Sequence, residues 1–426
     1  MKKLKIAIIA DDLTGASDCG GQLVHYGIPV SVKIDPNFTE NSVNGAIVLN
    51  TDSRSLPAAK AKMIVKTISE HVSRHDFDVI YKKIDSTMRG NIGAELNAMY
   101  DVFKPDFVMI APGYPENGRQ VINGIHYVNG TKLHETEAAR DPKTPVAESD
   151  IHKLIEKQTG RKSGHLTYED IQKGSGYVHK KLAGFRQNGI SYVTADSVHR
   201  SDMEAIVRML ADMPFSVIWA GSAGLMNALP KAFNLEAKNA RQSVPSIKEP
   251  IMFVAGSISR AGRKQLHTLL ASGLAEKIEM RSDRVIAGGV MKRNEFTRLK
   301  AAAVEALRAS KNIALFSSDN PDETRESGRR LGLTPLQTSD RVSHALGELA
   351  GELIQHLAVK RLFLTGGDTA YQVLHQLNVA EFRLLDEVEP GIPLGIANPD
   401  VFIVTKAGNF GSESAMVKAA IKLQGG

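Results

Sequence analysis

A chain of 426 residues exceeds what one hydrophobic core ordinarily organises, so two domains are expected. With 42% hydrophobic and 23% charged residues it has the composition of a globular protein, and no apolar run approaches the roughly 20 residues that span a bilayer, which excludes a helical membrane protein. The formal charge of +6 is scattered rather than clustered with aromatics, which argues against a nucleic-acid partner, and the lone Cys19 excludes a disulfide framework and suits a reducing cytoplasm.

Apolar runs alternate with helical patterns from the start of the chain. The charged opening Met1-Lys2-Lys3-Leu4-Lys5 leads into an apolar stretch broken at Asp11, which reads as a strand and not as a secretion signal. Strands are predicted over 6–10, 30–34, 46–50, 79–84, 107–111, 191–194 and 216–220, with helices over 57–71, 92–102, 204–213 and 223–233. The polar stretch 128–150 reads as a long lid or binding loop, with disorder the competing explanation, and 234–250 loses its apolar period and reads as a linker. A second series follows, with strands over 251–255, 277–280, 312–316, 361–365 and 401–405 and helices over 260–271, 295–309, 341–356 and 370–376. The expected fold is α/β: two Rossmann-like domains, 1–240 and 250–426, with mostly parallel sheets and a ligand cleft between them.

Chemistry gathers where predicted strands end, which is where parallel sheets meet their ligands. The first strand runs into Asp11-Asp12-Leu13-Thr14-Gly15: a helix cap accounts for one carboxylate and leaves the second to a ligand. A later strand delivers Lys83-Ile84-Asp85-Ser86-Thr87-Met88-Arg89. There Lys83 and Arg89 suit an anion, and Asp85 and Ser86 suit hydroxyls; the competing reading is an Asp85–Arg89 ion pair and a Ser86 or Thr87 cap. Arg54 is a candidate clamp after the third strand, and Ser55 a candidate cap before Pro57. The 111–119 segment reads as a shaped turn, and His134 with Glu135 as weak ligand candidates.

In the second half, glycine turns replace charges. Gly366-Gly367-Asp368-Thr369, Gly408 to Gly411 and Gly256-Ser257 each join a strand to a helix, so backbone N–H groups can face a phosphate, with Asp368 or Thr369 a candidate cap. Neither the dinucleotide fingerprint nor the P-loop consensus is present. Gly221-Ser222-Ala223-Gly224 lacks the spacing of a serine nucleophile elbow.

Together the 10–16, 83–91, 366–370 and 406–411 segments resemble, in order and along nearly the whole chain, the four-carbon acid sugar kinase family, which includes D-threonate, 3-oxo-tetronate and D-erythronate kinases. The resemblance implies an amino-terminal substrate domain in which Asp12, Arg54, Lys83, Ile84, Asp85 and Ser86 contact the acid. It also implies a carboxyl-terminal nucleotide domain in which Ser257, Gly366, Gly367, Asp368, Thr369 and Gly411 contact ATP, with Gly408 in the same turn. Asp12 is assigned to accept or orient the proton of the acceptor hydroxyl, with Asp11 the alternative, and Arg54, Lys83 or Arg89 to clamp the carboxylate. Mg²⁺ is expected on the phosphates, its protein ligands unknown, with Asp368 a candidate. The expected reaction is ATP-dependent phosphorylation of the C4 hydroxyl of a sugar acid, D-threonate giving 4-phospho-D-threonate. The alternatives are a 3-oxo-tetronate or D-erythronate kinase and, from another class, a non-catalytic sugar-acid-binding regulator. A cytoplasmic enzyme is expected, and a homodimer on the base rate of soluble enzymes.

Overall fold

The computed structural model describes residues 4–34, 44–141, 143–237, 244–246, 249–256, 259–397 and 400–425. The chain divides into two units, residues 1–240 and 241–426. In the first lie β1 (Ile6–Ala10), α1 (Leu13–Val24), β2 (Val30–Lys33), β3 (Ala46–Asn50), α2 (Ala58–Val72), β4 (Val79–Lys83), α3 (Ile92–Phe103) and β5 (Phe107–Ala111). Then come β6 (Arg119–Ile122), β7 (Ile125–Val128), β8 (Thr131–Lys132), α4 (Ile151–Thr159), β9 (Ser163–Leu166), α5 (Tyr168–Gln172) and α6 (Ser175–Gln187). The unit closes with β10 (Tyr192–Ala195), α7 (Arg200–Ala211), β11 (Val217–Gly221) and α8 (Ala223–Ala232).

Eight of these strands form one sheet in the order β2-β3-β1-β4-β11-β5-β10-β9, and every pairing in it is parallel. Its central strands are buried on both faces, which is why β1, β3 and β5 read as unbroken apolar runs. Ala7, Ile9, Ile47, Leu49, Val108 and Ile110 pack on one face against α2, α3 and α4, while α1 and α7 flank α8 in a separate row. Register aligns Ala10 with both Asn50 and Lys83, and Lys83 with Gly221, so four strands end level and the residues that follow them meet at one edge.

The second unit contains β12 (Ile251–Ala255), α9 (Arg260–Ala271), β13 (Glu276–Met280), α10 (Ser282–Ala287), α11 (Gly289–Arg308), β14 (Ile313–Ser317), α12 (Pro321–Arg330) and α13 (Pro335–Leu357). These lead to β15 (Arg361–Thr365), α14 (Gly367–Gln376), β16 (Glu381–Glu389), β17 (Ile392–Ala397), β18 (Val401–Lys406) and α15 (Ala415–Leu423). The order β13-β14-β12-β15-β18 is parallel, and β17 and β16 add an antiparallel margin.

Several elements differ from expectation. The stretch read as a lid is anchored by a small antiparallel sheet, β6-β7-β8, and by Leu133, Ala138 and Val146 in the core. Its turns are Asn123-Gly124 and Asn129-Gly130, both residues of each at positive φ, the geometry that sets up a two-residue hairpin. The β16–β17 hairpin escapes periodicity because two register shifts break its alternation and its first strand is charged. Helices α11 and α13 begin six residues earlier than predicted; α13 opens on a Thr334/Gln337 capping box with Pro335 at the first turn. Ser55 caps nothing, since Pro57 precedes α2 without a side-chain cap, and α3 likewise starts after Asn91 with no side-chain cap from Ser86 or Thr87.

Arg361, 1% exposed, holds the second unit's ends to its sheet: its Nε lies 3.3 Å from Glu249, its Nη2 donates to the Pro245 carbonyl at 3.1 Å and its Nη1 to the Leu423 carbonyl. Replacing it with methionine strands two carbonyls and is expected to cost on the order of 2–3 kcal/mol. Scanning calorimetry should show one transition moved down, whereas Lys311→Met, which removes an exposed Glu276 pair, should leave both in place. An unmoved Arg361→Met profile would contradict this anchoring role.

Candidate active site

The level strand ends of the first unit bring the predicted charges together. Asp12 leaves β1 with extended backbone and caps α1: its Oδ1 accepts the Gly15 N–H at 3.0 Å and its Oδ2 the Thr14 hydroxyl at 2.8 Å. Asp11, 2% exposed, turns to Arg54, whose Nε donates to Oδ2 at 2.8 Å and Nη2 to Oδ1 at 2.9 Å. The same Nη2 reaches Asp12 Oδ1 at 2.7 Å, and Nη1 stands 3.8 Å from Asp85 Oδ1. One guanidinium thus serves three carboxylates. One carboxylate of the pair is thus the helix cap, and the second is partnered by Arg54.

Backbone geometry holds Arg54 in place. The Asp11 carbonyl accepts the N–H groups of Ser53 at 3.0 Å and Arg54 at 3.2 Å, and Asn91 Nδ2 ties down the Ser53 and Leu56 carbonyls at 3.0 and 2.7 Å. Asp52 and Met88 adopt left-handed φ of 46° and 58°, a conformation that costs non-glycine residues of the order of 1–2 kcal/mol each and concentrates at functional sites. Gly90 has φ +99°, and a Cβ there would sit 3.1 Å from Arg54 Cγ and 3.3 Å from Asp11 Oδ2. Glycine lets this loop close against the ion cluster.

Asp85 and Arg89 form the predicted local pair, Nε to Oδ2 at 2.7 Å and Nη2 to Oδ1 at 3.1 Å, and Thr87 also donates its hydroxyl to Asp85 rather than capping a helix. Arg89 continues to Asp141 at 2.9 Å. Lys83 donates to the Ile84 carbonyl at 2.8 Å, and a Cβ added to Gly15 would lie 2.9 Å from its Nζ and 2.4 Å from Asp12 Oδ1, which places that ammonium beside the Asp12 cap. Ser86, 6% exposed, offers its carbonyl to His126 Nε2 at 2.8 Å. His134 instead bonds Ser149 at 2.7 Å, and Ser222 caps α8 and donates to the Gly113 carbonyl at 2.7 Å.

Burial alone would raise the Asp11 carboxyl, but Arg54, Lys82 and Lys83 outweigh it and hold the group below the usual range. For Asp85 burial is likewise overcome, by Arg89 and Arg54, and its carboxyl lies well below its ordinary value. Burial also opposes the Arg54 charge, yet Asp11, Asp12 and Asp85 hold it well above the ordinary value. Both aspartates are therefore acceptors at neutral pH.

Residues the sequence reading passed over complete this edge. Register sets Lys82 beside Ile9 on the face covered by α3, opposite to Lys83, and there Lys82 pairs with Glu95 at 2.8 Å, both essentially unexposed, while Ser53 donates to Glu95 at 2.5 Å. The signal was present: adjacent lysines in a strand covered on both faces each need a buried partner. Arg119 of β6 is 9% exposed, its guanidinium pulled down by burial against the attraction of Asp85.

In the second unit, Gly366 at φ +95° precedes α14 with no side-chain cap, so Asp368 and Thr369 lie inside the first helical turn rather than capping it. The Gly256 and Gly366 turns abut so closely that a Cβ on Gly256 would fall 1.8 Å from Thr369 Oγ1. Ser257 lies outside the described residues. Gly408 and Gly411 sit in the turn after β18, which Lys406 braces from within; burial draws that lysine down to about 7, Glu389 pulling the other way. A shallow recess opens where β12, β14 and β15 end, among Ala255, Leu266, Phe316, Ser317 and Thr365. Thr365 Oγ1 is buried without a hydrogen-bond partner. Among the described residues no group of three or more acidic, His or Cys side chains is placed to hold a metal ion.

Residues 6–229 match a family model described as a sugar-binding N-terminal domain, and residues 252–416 one described as a nucleotide-binding C-terminal domain. A Salmonella typhimurium protein named D-threonate kinase is 31% identical over 98% of this chain and 97% of its own, and a Pseudomonas savastanoi protein named 3-oxo-tetronate kinase is 28% identical over 99% and 97%. A solved Haemophilus influenzae structure, 26% identical, covers 98% of this chain and 100% of its own with a TM-score of 0.73.

His126 gives this region a pH signature. Burial holds its imidazole at about 4, the Ser86 carbonyl and Asp85 pulling the other way. Between that value and the ordinary 6.5 the unfolded chain binds a proton that the folded chain does not, so stability is full above pH 6.5 and falls as pH drops through this window. Asp11 and Asp85, with lowered values, lose their contribution only below about pH 4. Urea unfolding should show a loss of about 2 kcal/mol attributable to His126 between pH 7 and 5. His126→Gln should flatten that slope, and an unchanged slope would contradict the assignment.

Proposed function

The chain belongs to the four-carbon acid sugar kinase family, and from that premise we propose that it transfers the γ-phosphoryl group of ATP to the C4 hydroxyl of D-threonate, giving 4-phospho-D-threonate. It is an enzyme that phosphorylates an alcohol group of a sugar acid. The choice of D-threonate rests on the 31% identity to the Salmonella protein of that name; a 3-oxo-tetronate is the runner-up, carried by relatives such as the Pseudomonas one.

The observation that carries the reading is the Arg54 cluster, which fixes three carboxylates at the ends of β1 and β4. In this account Asp12 receives the C4 hydroxyl's proton as the oxygen attacks phosphorus, because its side chain is 13% exposed against 2% for Asp11 and its free rotation is already removed by the Gly15 and Thr14 hydrogen bonds. Asp11 keeps Arg54 oriented. Asp85 and Ser86 accept and donate to the carbinol hydroxyls, and the Ile84 carbonyl fixes Lys83. With Arg54 engaged by aspartates, the substrate carboxylate falls to Lys83 and Arg89, of which Arg89 has a side chain 30% exposed.

ATP supplies the phosphoryl group. Gly366, Gly367, Asp368, Thr369, Gly408 and Gly411 are assigned to its phosphates, for which backbone N–H groups at a helix start and a positive-φ turn are suited donors. The recess beside Phe316 and Leu266 offers an apolar surface for the base. Mg²⁺ is expected to arrive on the triphosphate, with Asp368 the candidate carboxylate. The buried thiol of Cys19, pushed up by burial, fits a cytoplasmic enzyme without disulfides.

Asp12→Asn should lower turnover by at least about 10³-fold while nucleotide affinity stays within about threefold. A panel of D-threonate, L-threonate, D-erythronate and 3-oxo-tetronates, read by ADP release, should give D-threonate the highest kcat/KM. Parent-level turnover by Asp12→Asn would remove the base assignment. Preference for a 3-oxo-tetronate would transfer the reading to the runner-up, and sugar-acid binding without ADP release from any acid would make the protein a regulator.

A further inference from the structure

The turn after β18 is held in an unusual way. Lys406 Nζ donates to the carbonyls of Ala407 at 2.8 Å, Gly408 at 2.9 Å and Phe410 at 3.3 Å. From α9, Gln265 Nε2 donates to Phe410 at 2.9 Å, Gly411 at 3.1 Å and Ser412 at 2.9 Å, and Ser259 Oγ to Gly408 at 2.8 Å. Every carbonyl from 407 to 412 except that of Asn409 is thereby drawn inward. Lys406 and Gln265 are almost completely buried, and Gln265 Oε1 has no hydrogen-bond partner, so the amide is aligned on the turn at the expense of its own oxygen. A carbonyl and the following N–H point in opposite directions across a trans peptide. Drawing the carbonyls in turns the N–H groups of Gly408, Asn409 and Gly411 out, and Gly411 adopts the φ of +86° that this path requires.

We propose that Lys406 and Gln265 are positioning residues for the nucleotide's phosphates, acting through the 407–412 turn by fixing its peptide planes so that its N–H groups face the anion. The proposal rests on the nucleotide-binding role of this unit stated above and extends it to two side chains that need not touch the ligand themselves. Three observations bear on it separately. Three main-chain carbonyls converge on Nζ, so one side chain fixes three peptide planes of the turn from beneath. Glu389 clamps the far end, accepting the Ser412 N–H at 2.7 Å and its hydroxyl at 2.5 Å. Thr365, the strand-end residue before Gly366, lines the recess, and its hydroxyl is buried and unpartnered.

The test compares ATP with adenosine on the full chain by calorimetry, for the parent and for Lys406→Met and Gln265→Leu, with melting temperatures recorded. The variants should lose at least thirtyfold in ATP affinity and keep adenosine affinity within threefold. The KM for ATP should rise in step, with the KM for the sugar acid unchanged. A merely structural role would lower the melting temperature and the active fraction while leaving the ATP to adenosine ratio intact, and that result overturns the proposal. Should Lys406→Met not fold, Gln265→Leu, whose amide removal introduces no charge, carries the decision. A parent that binds adenosine and ATP equally would overturn both this proposal and the kinase reading, whereas a parent selective for ATP with unselective variants overturns this proposal alone.

Discussion

One guanidinium organises the first unit's functional edge. Arg54 joins carboxylates from two strand ends, Asp11 and Asp12 after β1 and Asp85 after β4, and the arrangement depends on it because three carboxylates so close would otherwise repel one another. With Arg54 among them Asp11 and Asp85 stay ionised, and all three side chains are held in place. Its own placement is secured by backbone, through the Asp11 carbonyl, the Asn91 amide and the missing side chain at Gly90. Electrostatic preorganisation of this sort costs the fold strained residues at Asp52 and Met88, while the fully paired strands beneath provide the stability that tolerates them.

The second unit solves a different problem with different means. Where the first concentrates fixed charges, the second shapes peptide planes: Gly256 and Thr369 in near contact, Gly366 at positive φ, and the 407–412 turn pinned from inside. Peptide N–H groups suit a polyphosphate because they supply directional donors without a counter-charge that must be desolvated. The division agrees with the sugar-binding and nucleotide-binding family models that match the two halves.

Much of this was legible in the sequence for a definite reason. Central parallel strands are buried on both faces and stand out as continuous apolar runs, so β1, β3, β5, β12 and β15 were bounded to the residue, and in the first unit the polar residues after them marked the edge where the charges gather. The Asp85–Arg89 pair, four residues apart, was equally visible. Pairings distant in sequence were not: Arg54 lies 43 residues from Asp11, Lys82 meets Glu95 only once register assigns it a face, and Gln265 serves a turn about 145 residues away. The antiparallel pieces were missed because bulges and charge erased the alternation in β16, and because short strands joined by Asn-Gly turns resembled a loop.

The account stands most directly on Arg54 acting as the organiser of the acceptor side. Steady-state kinetics of Arg54→Met, with ATP affinity measured alongside, isolates that role. The expected result is a fall in kcat/KM for the preferred sugar acid of at least about 10³-fold, with nucleotide affinity unchanged within threefold. A variant that folds and keeps the parent's kcat/KM for the sugar acid would contradict it.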